Sequence, residues 1–263
     1  MRLRITAVSD AGKIRGNNED MVLVGGNIFR DSRLQGSIEL DLHSSPYAVA
    51  ISDGMGGANA GEVASQLVLE QLREGLAAIP ENLDDEAFQD EIKALCLRIH
   101  RLVLSEGAAD DAKRGMGATL VGLLHYQGRL FFVSAGDSRI YRFRDSTLMQ
   151  VSRDHSLREL CATPDMPGNI ILNSFGGGSS FFIDAGLAAR KVLNEDVYLL
   201  CSDGVSDMLS DLEIEAILGA DGREDSLLAA AMNKGGQDNI SYALVEVSGV
   251  NGVISITGEQ HAE

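Results

Sequence analysis

Five short segments, far apart in the chain, each set a carboxylate beside small, flexible or polar residues at an end of an apolar stretch. They are Asn17-Asn18-Glu19-Asp20, Ile51-Ser52-Asp53-Gly54-Met55-Gly56-Gly57, Ala135-Gly136-Asp137-Ser138-Arg139, Cys201-Ser202-Asp203-Gly204 and Gly235-Gly236-Gln237-Asp238-Asn239. An aspartate at the end of a buried strand, with glycine letting the chain turn and come close, is how oxygen ligands converge on a hard cation. One Asp-Gly is only a turn. Five such segments make a metal centre the leading expectation. Two carboxylates about 4 Å apart repel by roughly 4 kcal/mol at an effective dielectric near 20. Five in one cleft therefore require protonation or bound cations, and an all-oxygen set selects Mg²⁺ or Mn²⁺.

Composition narrows the partners. The chain has 263 residues, 44% of them hydrophobic, which suits one sizeable domain or two small ones with a real core. Its formal net charge of −17 argues against nucleic acid, whose phosphates it would repel. An acidic protein that handles phosphate must supply positive charge locally, through metals or a single arginine. No apolar run approaches the roughly 18 residues of a membrane span. The first residues alternate like a strand and lack the apolar core of a signal peptide, so a cytoplasmic protein is expected. Cys96, Cys161 and Cys201 are odd in number and form no CxxC pair, which argues against a disulfide framework or a zinc site. Cys201 reads as a buried strand thiol.

Those carboxylates need a frame. Alternation predicts strands over Leu3–Val8, Met21–Val24 and Asn27–Phe29, the last two joined by the hairpin signal Gly25-Gly26. Asp31–Ser45 reads as a polar excursion or hairpin tip, and Tyr47–Ser52 as a strand buried on both faces. Helical spacing marks Gly61–Ile79, ended by Pro80, and Asp84–Glu106. Strands follow at Ala118–Tyr126, Arg129–Ala135, Arg139–Phe143 and Leu148–Val151, then a short helix at Arg153–Cys161 and a loop at Thr163–Gly168. Ile170–Phe175 and Phe181–Ala188 read as segments flanking a flexible Gly176-Gly177-Gly178 turn. Val197–Ser202 and Ile240–Val247 are strands, with helices at Asp211–Leu218 and Glu224–Lys234. Gly252–Thr257 could add an edge strand. Hairpins outnumber crossovers, which predicts an α+β fold of two packed antiparallel sheets with helices outside. His100 reads as a surface or packing residue, His155 as a loop tie, and Asn239 as a residue orienting Asp238 or its loop.

Eight motifs in order sharpen this: Arg15-Gly16-Asn17-Asn18-Glu19-Asp20, Asp53-Gly54-Met55-Gly56-Gly57, Gly61-Glu62-Val63-Ala64-Ser65, Met116-Gly117-Ala118-Thr119, Gly136-Asp137-Ser138-Arg139, Asp154-His155-Ser156, Ser202-Asp203-Gly204 and Gly235-Gly236-Gln237-Asp238-Asn239. Over about Ile5 to Val247 the chain resembles the metal-dependent Ser/Thr protein phosphatases of type 2C, particularly the bacterial ones. The resemblance implies a four-layer α-β-β-α sandwich, two central antiparallel sheets with helices on both outer faces and metals in a cleft at one end. It implies a phosphatase domain over 1–248, with a short flap about 153–180, and a tail over 249–263.

The same resemblance implies site roles. Asp53 would bridge two metal ions, with the Gly54 carbonyl as a further ligand. Asp203 and Asp238 would complete the first shell, Glu19 and Asp20 would hold the second ion, and Asp137 with Asp203 would bind a third. Arg15 would grip the substrate phosphate, a task suited to the guanidinium fork. Two or three Mn²⁺ or Mg²⁺ ions are implied. So is hydrolysis of phosphoserine and phosphothreonine in proteins by direct attack of a metal-bridging hydroxide, opposing a bacterial Ser/Thr kinase. A monomer is expected. Alternatives are a phosphatase for a phosphorylated regulator of the anti-sigma-antagonist kind, or a non-catalytic metal-binding regulatory domain of the same fold. Many eukaryotic relatives carry histidine after the Asp-Gly, assigned as general acid; here Met55 stands there, so leaving-group protonation must come from elsewhere.

Overall fold

The computed structural model describes residues 1–56, 60–161, 170–178 and 180–250. In chain order its elements are β1 (Arg2–Asp10), β2 (Met21–Val24), β3 (Asn27–Phe29), β4 (Ser32–Glu39), β5 (Tyr47–Ser52), β6 (Gly54–Met55), α1 (Ala60–Ala77) and α2 (Asp85–Ala109). They continue with β7 (Gly117–Ala118), β8 (Leu120–Tyr126), β9 (Arg129–Ala135), β10 (Arg139–Arg144), β11 (Thr147–Gln150), α3 (Leu157–Cys161) and β12 (Asp184–Leu187). The last are β13 (Val197–Cys201), α4 (Asp203–Ser206), α5 (Asp211–Leu218), α6 (Arg223–Asn233) and β14 (Ile240–Ser248).

The strands form two six-stranded antiparallel sheets, ordered β11-β10-β13-β14-β1-β4 and β12-β9-β8-β5-β2-β3, plus the small pair β6-β7. Alternation along each strand sends one row of side chains between the sheets: Leu3, Ile5 and Ala7 face Val22, Val49, Ile51 and Val121 in one core. The other row meets helices. The stripe Ala64, Val68, Leu72 and Leu76 of α1, with Phe88, Ile92 and Ile99 of α2, packs on the second sheet. Ile214 and Leu218 of α5, with Leu227 and Ala231 of α6, pack on the first. Asp84 caps α2 by accepting from the Ala87 amide at 2.9 Å, and Ser210 N–H donates to Glu213 Oε2 at 2.9 Å at the start of α5. The four-layer α-β-β-α sandwich expected from the sequence is the fold.

One expectation needs correction. Asp31–Ser45 contains a strand, β4, paired with β1 from Arg2↔Glu39 to Ser9↔Ser32. Its polarity reflects its place at a sheet edge, where nearly every position is exposed. Ile170–Phe175, beside the glycine turn, pairs with the rest of the chain through the isolated bridges Ser156↔Ile171 and Ala118↔Phe175. The Thr163–Gly168 loop and the Gly252–Thr257 strand lie outside the described residues, as does Gly57. Among the described residues no helix is long and apolar enough to cross a membrane.

Candidate metal centre

Register brings the acidic segments to one end of the sandwich. Asp53 follows β5, Asp137 follows β9 and Asp203 follows β13, whereas Asp20 precedes β2 and Asp238 precedes β14. Because neighbours run antiparallel, the start of one strand lies beside the end of the next: Met21 pairs with Ser52, and Cys201 with Tyr242. Exits and entries therefore share a pole. Backbones converge there so closely that the two Asp-Gly pairs need glycine. A Cβ on Gly54 would stand 2.1 Å from the Gly61 carbonyl oxygen, and one on Gly204 would stand 1.9 Å from that of Asn239.

The acidic side chains sit in each other's field. Asp20 is fully buried, and Asp137 is 8% exposed. Burial, with repulsion from Asp238 added, pushes Asp20 up to about 6 despite hydrogen bonds from Ser241 and Ser202. Burial, with Asp154 and Asp207 adding to it, also takes Asp137 to about 6. Asp53 is pushed well above the usual carboxylate range by burial and then by Asp20, Asp203, Asp137 and Asp238. Asp203 is raised in the same way, by burial and then Asp137, Asp238 and Asp20. Burial also raises Glu19, although Arg15 pulls it down. All five aspartates are thus brought together, with Glu19 and Arg15 at the rim.

Local bonds fix this ring. The Asp53 amide donates to Thr119 Oγ1 at 3.0 Å, and the Asp53 carbonyl accepts from the Thr119 amide at 2.8 Å. Ser202 Oγ donates to Asp20 Oδ2 at 2.8 Å. The Glu19 carbonyl accepts from Gly54 N–H at 3.2 Å and from Ser65 Oγ at 2.6 Å. Asn239 ties the arm carrying Arg15 and Glu19: its Oδ1 accepts from the Glu19 amide at 2.9 Å, and its Nδ2 donates to the carbonyls of Ala11 and Asn17. The sequence pointed to Asn239 as orienting Asp238 or its own loop; its side chain instead holds the arm carrying Arg15 and Glu19, and Thr119, Ser202 and Ser65 were passed over. Small hydroxyl residues among the quoted motifs were the available signal. Arg15 is 56% exposed and donates to Asp238 Oδ2 at 2.6 Å.

Does this set fit divalent ions? Asp20 Oδ1 and Asp137 Oδ1 are buried oxygens with no hydrogen-bond partner, which native proteins rarely leave so. The donors are all oxygen, the preference of Mg²⁺ and Mn²⁺. Among the described residues no three acidic, histidine or cysteine side chains already stand as a closed cage, with Asp238 turned to Arg15 and Asp20 to Ser202. The residues fit the ions in chemistry and charge.

Fold and pole together describe an α+β sandwich with an acidic site chemically suited to divalent ions. The chain belongs to the protein phosphatase 2C family, whose model matches residues 28–246. It is 32% identical over 261 residues to the serine/threonine protein phosphatase PstP of Mycobacterium tuberculosis, covering 93% of this chain and 45% of that protein. The chain thus spans about half the length of that curated relative. It superposes on the S. agalactiae serine/threonine phosphatase with a TM-score of 0.80 at 26% identity, covering 94% of this chain and 100% of the other. The catalytic domain of PstP, solved in complex with two manganese ions, is 30% identical with a TM-score of 0.73, covering 93% of this chain and 98% of that one.

Proposed function

We propose that this chain is a divalent-metal-dependent protein serine/threonine phosphatase acting on phosphoserine and phosphothreonine, with residues 1–248 as the catalytic domain. The observation that carries the reading is the pole itself: five mutually repelling aspartates, two with orphaned buried oxygens, beside one exposed guanidinium. Asp53 and the Gly54 carbonyl would hold two ions between them, Asp203 and Asp238 one side, Glu19 and Asp20 the other, and Asp137 with Asp203 a third. When bound, such ions acidify a shared water toward neutrality and clamp the oxygens of an in-line displacement. Mn²⁺ and Mg²⁺ both satisfy the donor set; the manganese-bound PstP domain supports the first.

The chain's own residues do the rest. Arg15, at the rim and free of other burial, forks onto phosphate oxygens once it leaves Asp238. Ser202 Oγ holds one oxygen of the Asp20 carboxylate, and Asn239 holds the Glu19 backbone, which fixes both residues at the pole. Met55 cannot donate a proton, so the leaving alkoxide takes its proton from solvent or a water held at the pole. The chain's partners are phosphorylated proteins, in opposition to a Ser/Thr kinase. Release of phosphate from a phosphothreonine peptide tests the reading. The expected result is turnover with Mn²⁺ that EDTA abolishes; none at millimolar Mn²⁺ would overturn it.

A further inference from the structure

His155 stands in the Asp154-His155-Ser156 motif, and the reaction above does not use it. It is 6% exposed, and every polar atom of its ring is engaged. Nδ1 receives two donors, the Gly136 amide at 3.2 Å and Asn173 Nδ2 at 2.7 Å. Nε2 faces Asp184 Oδ2 at 3.1 Å. The orientation of the Asn173 amide is set independently, because its Oδ1 accepts from Phe182 N–H at 3.2 Å and its Nδ2 donates to the Phe182 carbonyl at 2.9 Å. The nitrogen facing His155 must therefore be the donor. A backbone amide can only donate as well, so Nδ1 is the acceptor and the ring proton sits on Nε2, given to Asp184.

This tautomer matters because of what lies next to Gly136. The turn 136–139 carries Asp137, and its two ends are gripped by adjacent residues. His155 accepts from the Gly136 amide and donates its own amide to the Gly136 carbonyl at 2.8 Å. Asp154 accepts from the Arg139 guanidinium, with Nη2 at 2.7 Å and Nε at 3.0 Å. In the middle of the turn, Ser138 Oγ meets Thr119 Oγ1 at 2.8 Å, the same oxygen that accepts from the Asp53 amide. One chain of bonds thus runs from Asp53 through Thr119 and the Asp137 turn to His155. From there it continues through Asn173 and Asp184 to the return segment that enters β12.

We propose that His155, as the Nε2–H tautomer, is a positioning residue for Asp137 and couples it to Asn173 and Asp184. The inference rests on the phosphatase reading for its catalytic consequence, though not for its geometry. His155 touches no reacting atom. Loosening a supporting partner leaves a site present but out of place.

Two substitutions separate the ring nitrogens. His155→Asn places an oxygen where Nδ1 stands and keeps the acceptor; His155→Gln reaches only the Nε2 position. Each is read by amide exchange at Gly136 in the metal-free protein, by a cooperative melt, and by kcat and KM on a phosphothreonine peptide. We expect Asn to keep the Gly136 amide protected and most of kcat. Gln should expose that amide and lower kcat by roughly tenfold to a hundredfold, the range found when a ligand's orienting partner is removed, with KM little changed. Should the Gln variant fail to fold, Asn173→Asp replaces it: a carboxylate oxygen against Nδ1 demands a proton there, and Gly136 loses its acceptor. Wild-type protection and kcat in the Gln variant, or equal losses in Asn and Gln, would overturn the proposal. Because exchange needs no turnover, a protein that released no phosphate would sink the phosphatase reading and leave this one still decided by Gly136.

Discussion

The two ends of this sandwich hold comparable numbers of charges and treat them in opposite ways. The end away from the aspartates carries the larger concavity, a groove of about 1000 Å³ lined by Arg2, Arg4, Arg144, Arg223, Glu195, Glu224 and Glu246 among others. Arg4, Arg144, Arg223, Glu224 and Glu246 there all stand in ion pairs. Glu246 accepts from Arg223 at 2.5 Å and from Arg4, Arg4 also reaches Glu224 at 2.9 Å, and Arg144 holds buried Asp196 at 2.5 Å. Burial would raise Glu246, but Arg4 and Arg223 outweigh it and hold that carboxyl below its ordinary value. At the acidic end Arg15 is bonded to Asp238 alone, and burial with mutual repulsion raises Asp20, Asp53, Asp137 and Asp203. Paired charge stabilises the fold and asks for nothing further. Uncompensated buried charge is a standing cost that a ligand can relieve. The larger cavity is the structural end, and the crowded small one is where chemistry is expected.

The sharpest way to break this contrast is to remove one charge at each end. Asp53→Asn or Asp203→Asn should abolish phosphatase activity, a loss beyond the roughly 10–100-fold that orienting partners cost, and leave the metal-free fold as stable or more so. Glu246→Gln should do the reverse: lower the melting midpoint and leave turnover intact. Near-wild-type turnover of either aspartate variant at saturating Mn²⁺ would show that the acidic end is merely strained.

Ligand relief can be read without activity. Ions that bind only the folded pole contribute RT ln(1 + [L]/Kd), about 2.7 kcal/mol at a hundredfold excess. For a domain of this size that is roughly 5–10 °C in the melting midpoint. A midpoint unmoved by millimolar Mn²⁺ and by EDTA would count against a carboxylate metal site.

A smaller effect follows from pH. Asp20 and Asp137 lie at about 6 in the folded protein against 3.8 as free groups. The folded state therefore binds more protons between those values, and stability falls as pH rises through that window. With respect to these groups the metal-free protein should be most stable below about pH 4, losing that contribution by pH 7. Asp20→Asn should flatten the slope, and saturating Mn²⁺ should remove it. A metal-free melting midpoint that climbs from pH 5 to 7 would contradict the assignment.

The smallest expected change is at Met55, which packs beside Gly117: the Cβ position there is 3.4 Å from Met55 Cγ. An alkyl leaving group needs a proton, whereas an aryl phosphate departs as a stabilised anion. Met55→His should alter phosphopeptide turnover and its pH profile more than p-nitrophenyl phosphate turnover. Equal effects on both would mean that position 55 has no acid role to restore.

Much of this was legible along the chain because it is local. Strands with apolar faces announce themselves by alternation, and the Gly25-Gly26 hairpin and both long helices stand where spacing puts them. The edge strand β4 did not, since an edge needs few apolar residues and its evidence is a partner, β1, some thirty positions away. Residues Ile170–Phe175 read only as a segment beside the glycine turn, because what holds them lies elsewhere in the chain. Phe175 packs on Phe181, which in turn stacks on His100, whereas Ile170 and Leu172 stand exposed.

What the sequence determined by itself was the inventory: which carboxylates are set at strand ends beside glycine, and that antiparallel strands would deliver them to one pole. Tertiary structure alone decided their condition. Whether Asp20 is buried beside Ser202, whether Arg15 rests on Asp238, and which nitrogen of His155 carries the proton all depend on atoms tens to hundreds of residues distant. Residue order fixes type and spacing, but the local dielectric and the nearest opposite charge belong to the packed neighbourhood. Those two quantities set whether a buried aspartate is a liability or a ligand.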